Sequence, residues 1–156
     1  MEITKARIIG TIAIFILIGL FIFRPVPDKN QILATDAMVT EVGLFDHAND
    51  ERETRMKWDD CLAGQARERA KFLFDNENRA GYFAHYTPDG TTPWQFVEKC
   101  GYRYAGENLI KGFDNFGQMH EALMKSELHR KNIINTRYNA MGTGCYGNIC
   151  VEFFKD

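Results

Sequence analysis

Two cysteines near the end of the chain constrain its fold more than any other feature. The segment Cys145-Tyr146-Gly147-Asn148-Ile149-Cys150 has the pattern of a β-hairpin with a two-residue turn at Gly147-Asn148. In such a hairpin the two cysteines form a non-hydrogen-bonded pair, with their Cα atoms about 4.5 Å apart, which a disulfide can span. We therefore predict a disulfide between Cys145 and Cys150.

Cys61 and Cys100 are the two other cysteines of the chain and are left to pair with each other. An even number of cysteines is typical of an exported domain that is held by disulfides. Zinc binding by the four cysteines is the alternative. It is disfavoured because neither Cys61 nor Cys100 has a second ligand close by in the sequence.

The N-terminus carries a targeting segment. Residues 8–23 form the uncharged run IIGTIAIFILIGLFIF, with Lys5 and Arg7 before it and Arg24 after it. As a helix this run spans about 24 Å, and the flanking arginines can extend its reach toward the ~30 Å hydrocarbon core of a bilayer. A retained signal anchor is favoured over a cleaved signal peptide, because the Arg-Pro-Val-Pro sequence that follows offers no small-residue cleavage site.

Both interpretations place the rest of the chain outside the cytoplasm. We predict that residues 1–25 are the signal anchor or signal peptide, that residues 26–35 are a spacer and that residues 36–156 are one domain. Apolar residues make up 45% of the chain and aromatic residues 13%, which is enough for a packed core and excludes a disordered chain. Beyond Arg24 there are 16 basic and 20 acidic residues, and this net charge of −4 argues against nucleic-acid binding.

The remaining pattern predicts an α+β domain in which helices pack around a small antiparallel sheet. Apolar residues at helical spacing, such as Leu62, Ala66, Ala70 and Leu73, define the helices. The predicted order begins with a helix from an N-cap at Asp36 to Asn49, a charged loop to Lys57 and a helix that is capped by Asp59 or Asp60 and ends before Gly81. A turn at Pro88-Asp89-Gly90 and a short helix from the capping box Thr92-Pro93-Trp94-Gln95 to Gly101 follow. The last predicted elements are an extended segment at 102–109, a helix opened by Asp114 and the hairpin at 140–154.

Three side chains on separate elements could supply the chemistry of a site: His85, Glu107 and His129. Neutral imidazoles bind divalent metal ions and transfer protons near pH 7. The carboxylate of Glu107 could bind the metal ion or orient a histidine ring through its other nitrogen. Alternatively, each histidine satisfies a buried hydrogen bond and the three never meet.

Several short motifs in register resemble the CAP superfamily, which comprises the cysteine-rich secretory, antigen five and pathogenesis-related proteins. The similarity runs from about Asp36 to Phe154. The motifs are Asn49-x-x-Arg52, Trp58-Asp59-x-x-Leu62-x-x-x-Ala66, Phe83-Ala84-His85, Gly106-Glu107-Asn108-Leu109, Ser126-x-x-His129-Arg130-x-Asn132-Ile133 and Gly142-x-Gly144. The resemblance implies an α-β-α sandwich with a central cleft, which in eukaryotic members holds two histidines and two glutamates and can bind zinc.

Carried over to this chain, the resemblance identifies His85 and His129 as the metal-binding histidines and Glu107 as the first glutamate and the candidate catalytic residue. Ser126 stands at the position of the second glutamate, as in many bacterial members, and Leu123 replaces the usual tryptophan. The implied cleft comprises His85, Glu107, Asn108, Ser126 and His129, with zinc as the first expected metal.

The other polar candidates have simpler structural explanations. We predict that Asn108 braces the cleft through hydrogen bonds, that Ser126 makes a helix-end hydrogen bond and that Arg130 forms a salt bridge. His120 is predicted in the core or at its rim and His47 on the surface. Most of the aromatic residues near the cleft are predicted in the core, with one or two left to line a groove: Tyr82, Tyr86, Trp94, Tyr102 and Tyr104.

The incomplete set of acidic residues favours a membrane-tethered binding domain that holds a metal ion and an extracellular ligand, such as a protein, a lipid or an envelope polymer. A metal-dependent hydrolase of peptides or envelope material, with Glu107 as general base, is the second hypothesis. Lipid or sterol binding, which some eukaryotic relatives show, is the third.

Overall fold

The computed structural model describes the backbone of residues 29–156 and the side chains of residues 36–156. The predicted anchor at residues 8–23 lies outside this range. In the part of the chain that the structure describes, no helix is both long enough and apolar enough to cross a membrane.

A four-stranded sheet forms the centre of the domain, with the strand order β1-β3-β4-β2. The strands are β1 (Lys57–Trp58), β2 (Ala105–Lys111), β3 (Ala140–Tyr146) and β4 (Ile149–Lys155). The β3–β4 and β4–β2 pairs are antiparallel, as predicted, but β1 pairs with β3 in parallel. The sheet is therefore mixed, and the end of the predicted loop at 49–57 contributes its first strand.

Helices cover both faces of this sheet, which confirms the predicted α+β fold. They are α1 (Lys29–Asp50), α2 (Asp60–Asp75), α3 (Trp94–Val97, continued by a 3₁₀ turn to Cys100), α4 (Phe116–Lys125) and α5 (Glu127–Ile133). On one face α2 and α3 pack on Leu109, Val151 and Phe153, and on the other face α1, α4 and α5 pack on Ile110, Met141 and Phe154. Alternate residues of one strand thus pack in the two hydrophobic cores that lie on opposite faces of the sheet.

Local capping explains where the helices begin. The carboxylate of Asp59 accepts a hydrogen bond from the backbone N–H of Leu62 at 2.9 Å, as predicted for the start of α2. The prediction for Asp36 is wrong, because α1 begins at Lys29 and includes part of the predicted spacer. The prediction for Asp114 is wrong by one residue, since Asn115 caps α4 by accepting from the N–H of Gln118.

Both predicted disulfides are present. Cys145 and Cys150 are paired across the hairpin with their Cα atoms 4.1 Å apart, and Cys61 is bonded to Cys100. The zinc alternative for the four cysteines is therefore wrong.

Candidate functional site

Strand β2 lies at one edge of the sheet, and its consecutive residues Glu107 and Asn108 point to opposite faces. Their neighbours show which face is which, because Leu109 packs in the core beneath α2 and Ile110 in the core beneath α1 and α4. Glu107 therefore belongs to the α2 side of the sheet, and Asn108 belongs to the α5 side.

Glu107 is buried, and two partners engage its carboxylate. Oε1 accepts a hydrogen bond from Nε of Arg69 at 3.0 Å, and Oε2 lies 2.7 Å from Nδ1 of His85. The His85 side chain retains 45% of its accessible surface, whereas that of Glu107 retains 1%. The buried carboxylate of Glu107 thus fixes the imidazole ring of His85 through Nδ1, and Nε2 of the ring remains available to a ligand in the cleft.

Arg69 is one of two residues at this site that the sequence analysis missed. It lies on α2, and its side chain is completely buried. Its Nη2 donates to the main-chain oxygens of Ala84 and His85, at 2.9 and 3.0 Å. The sequence does contain an indication that Arg69 is buried, because the residue lies next to Ala70 on the apolar face of the helix. A charged residue at such a position needs a partner.

His129 approaches the cleft from α5 and is half-buried. Burial lowers the pKa of His129, and the neighbouring charge of His85 lowers it further. A lowered pKa keeps His129 neutral near pH 7, which is the form that binds a metal ion.

A hydrogen-bond network fixes α5 to the edge strand. Asn108 donates from Nδ2 to the main-chain oxygen of His129 at 3.2 Å and to Oε2 of Glu152 at 2.9 Å. Asn132 donates to Oδ1 of Asn108 and to the main-chain oxygen of Glu107. Asn108 therefore has the bracing role predicted for it, with Glu152 as a buried partner that the sequence analysis missed.

Glu107 does not add a third donor to the two imidazoles predicted to bind a metal ion, those of His85 and His129. Among the described residues, Asp59, Cys61 and Cys100 are the only three metal-ligand side chains whose donor atoms lie within 4.8 Å of one another. Both of these cysteines are in a disulfide and have no thiolate to offer. His85, Glu107 and His129 do not converge in that way, and both oxygens of Glu107 are engaged.

The remaining candidates differ in part from the predictions. Ser126 ends α4 and precedes α5, but its side chain makes no capping hydrogen bond there. Arg130 is exposed, and none of the ion pairs within residues 36–156 includes it. His120 is buried as predicted, whereas His47 is half-buried and stacks on it. The prediction that most of the five aromatic residues lie in the core is wrong, because only Tyr82 is buried, whereas Tyr86, Tyr102 and Tyr104 are exposed. The hydroxyl of Tyr86 accepts a hydrogen bond from the indole N–H of Trp94.

Residues 50–152, which are more than half of the chain, match the cysteine-rich secretory protein family, also called CAP. The chain belongs to this family. The resemblance carried by the short motifs is thereby confirmed.

Individual relatives support the same assignment. The uncharacterized protein YkwD of Bacillus subtilis strain 168 is 34% identical to this CAP domain over 88 residues, which cover 55% of the chain and 33% of YkwD. The chain thus spans about a third of the length of the curated relative that it matches.

Two solved structures show the fold. The first is an extracellular protein with an SCP domain from Bacillus anthracis, with a TM-score of 0.72 and 23% identity, over 83% of this chain and 44% of that one. The second is an outer surface protein from Borrelia burgdorferi, with a TM-score of 0.56 and 23% identity, over 83% of this chain and 94% of that one.

Proposed function

We propose that this CAP domain works outside the cytoplasm, tethered by residues 8–23, as a binding domain whose cleft takes an extracellular ligand and a divalent metal ion. The observation that carries the proposal is the orientation of His85, whose Nδ1 is held by Glu107 while half of the side chain faces solvent. A ring fixed in this way presents Nε2 outward, as in metal sites where a carboxylate orients a histidine.

Two features support the extracytoplasmic location. The domain has two disulfides and no free cysteine, a state that persists in oxidising compartments. In addition, the named structural relatives are described as an extracellular protein and an outer surface protein.

The metal ion would be held by Nε2 of His85 and by the ring of His129, with water completing the coordination shell. Zinc is the first candidate because imidazole nitrogens suit it, although a site with two protein ligands binds more weakly than one with three or four. When bound, such an ion would polarise a carbonyl or phosphoryl oxygen of the ligand. Glu107 would contribute by orienting His85 rather than by touching the ion, since both of its oxygens are engaged.

The same contacts reduce the support for a hydrolase that uses Glu107 as general base. Its carboxylate is buried and already accepts from Arg69 and His85. In an enzymatic version of this site, His85 would be the proton acceptor, and Glu107 would stabilise the protonated ring.

Calorimetric titration of zinc into the full chain in detergent micelles tests the proposal. We expect saturable binding that is lost in both His85→Gln and His129→Gln. The matched control is His47→Gln, which removes an imidazole on α1 and should keep zinc binding. A folded, disulfide-bonded protein that binds no zinc, or that loses binding equally in His47→Gln, would contradict the metal site.

A second candidate function, lipid binding, is favoured by a different part of the molecule. An open cavity of about 950 Å³ lies beside α1, and its lining combines apolar side chains, such as Met38, Phe74 and Met119, with charged ones, such as Glu41 and Arg67. The volume and the apolar part of the lining suit an acyl chain, and Arg67 would lie near its carboxylate. Ala37→Trp would place a large side chain in the cavity, so displacement of a bound fluorescent fatty acid should separate this variant from the wild type. A wild-type protein that binds no fatty acid would exclude this candidate.

A further inference from the structure

A completely buried arginine next to a cleft requires a physical reason, because transferring a permanent charge out of water is costly unless the charge is well paired. Arg69 has no exposed side-chain surface. It makes one ionic hydrogen bond, to Glu107, and two to main-chain oxygens, those of Ala84 and His85. Two of the three bonds therefore end on the segment that carries His85, and the third ends on the residue that holds its ring.

We propose that Arg69 is a positioning residue for the cleft, which keeps the His85 proton on Nδ1 and so presents the unprotonated Nε2 to the ligand. The inference rests on the proposed function in one respect, namely that Nε2 of His85 is the atom that binds. The guanidinium group is always protonated, so it holds Oε1 of Glu107 and leaves Oε2 to accept a proton from the imidazole. The hydrogen bond at one ring nitrogen decides which tautomer is populated.

The geometry of these contacts requires an arginine rather than any cation. Nε points to Glu107 and Nη2 points to the two carbonyl groups, so the planar fork fixes the side chain and the main chain at once. The rings of Phe72 and Phe96 lie 5.6 and 5.5 Å from the guanidinium carbon and flank it. A lysine at this position would have all its donors on a single nitrogen, so it could not reach Glu107 and the two carbonyl groups with the fixed geometry of the planar fork.

Nitrogen-15 NMR of the imidazole rings of the full chain in detergent micelles, at a pH where the histidines are neutral, reads the tautomers directly. In the wild type we expect His85 to be predominantly protonated on Nδ1. In Arg69→Lys we expect this preference to be lost, and zinc affinity to fall about 10- to 100-fold, the range found when the partner of a metal-binding histidine is removed. The His129 ring is an internal reference that should keep its tautomer.

The chain offers a close control in Arg67→Lys. Arg67 lies on the same helix and also forms a forked ion pair, but its partner is Glu41 on α1, away from His85. This variant should leave the His85 tautomer and zinc affinity unchanged, whereas a general effect of weakening a forked arginine would appear in both variants.

Two results would overturn the proposal: wild-type His85 protonated on Nε2, or a folded Arg69→Lys protein whose His85 tautomer is unchanged. If Arg69→Lys does not fold, Glu107→Gln gives the same test, since its single amide oxygen cannot fully serve both Arg69 and His85. A wild-type protein that shows the expected tautomer but binds no zinc would contradict the proposed metal site and leave the role of Arg69 intact.

Discussion

Asn108 and Glu152 lie opposite each other on β2 and β4, and Nδ2 of Asn108 donates to Oε2 of Glu152 at 2.9 Å. The second oxygen of Glu152, Oε1, is buried and has no partner among the described residues. Burial raises the pKa of Glu152 to about 7, although the hydrogen bond from Asn108 opposes this shift. The folded protein therefore holds a neutral glutamic acid under the cleft at mildly acidic pH.

This relationship predicts a pH-dependent stability. Between about pH 4.5 and pH 7 the folded state keeps a proton on Glu152 that the unfolded chain has released, so the free energy of unfolding should decrease as pH rises through this window. Glu152→Gln mimics the neutral acid, so the contribution of residue 152 to this slope should disappear. Near pH 8 the variant should be more stable than the wild type by about 3 kcal/mol.

Urea unfolding at pH 5 and pH 8 measures this difference. Glu53→Gln removes an exposed acid and is the control, since it should keep the slope of the wild type. Equal slopes in the wild type and in Glu152→Gln would show that Glu152 is ionised in the folded protein at both pH values.

A second prediction concerns the two imidazoles of the cleft. Burial, followed by the charge of His85, lowers the pKa of His129. His85→Asn removes the charge and leaves most of the burial, so the pKa of His129 should rise but stay below its ordinary value. An NMR titration of the ring proton signals measures it, with His47→Asn as a control that should have no effect. A pKa of His129 that does not change in His85→Asn would mean that the two rings do not share a cleft.

Local patterns in the sequence were enough for a large part of this fold. The Gly147-Asn148 turn and the cysteines beside it depend on residues that are close along the chain, and the hairpin and its disulfide were predicted for that reason. The same is true of the start of α2, where Asp59 caps the helix within three residues. Strand β1 was missed because it has two residues, and its parallel pairing with β3 joins positions more than 80 residues apart.

The candidate site was predictable only in part, because its decisive contacts join distant segments. The motifs indicated His85, Glu107 and His129, but the sequence does not reveal that both oxygens of Glu107 are engaged. Arg69 and Glu152 belong to residue types that are mostly exposed. The position of Arg69 on the apolar face of α2 indicates that it needs a partner, but only the tertiary structure shows that this partner is Glu107 and that Glu152 is buried as well. The hypothesis that Glu107 acts as general base therefore did not take Arg69 into account.

A third prediction tests how closely α2 must approach the sheet. A Cβ at Gly144 would overlap the main-chain nitrogen of Arg67 and the main-chain carbon of Ala66. Gly144→Ala should therefore lower the free energy of unfolding by about 1–3 kcal/mol, as expected for an overpacked core.

Gly64→Ala is the matched control on α2, where an added Cβ meets no atom within 4 Å. It should stabilise the helix by up to about 1 kcal/mol. Thermal unfolding of the two variants would reveal the opposite signs, and a neutral Gly144→Ala would mean that α2 can move away from β3.

The last prediction compares the two disulfides, which close loops of very different length. Cys61 and Cys100 are 39 positions apart and connect the start of α2 to the turn after α3, whereas Cys145 and Cys150 are five positions apart within one hairpin. In the chain-entropy description a crosslink stabilises more when it closes a longer loop. Replacing both cysteines by alanine should therefore lower the free energy of unfolding by about 4 kcal/mol for the 61–100 pair and by about 2 kcal/mol for the 145–150 pair.

Urea unfolding of the two double variants under identical conditions measures the difference. A larger loss for the hairpin pair would show that Cys145 and Cys150 stabilise the folded state through their packing in the core beneath α1 and α4 rather than through loop closure.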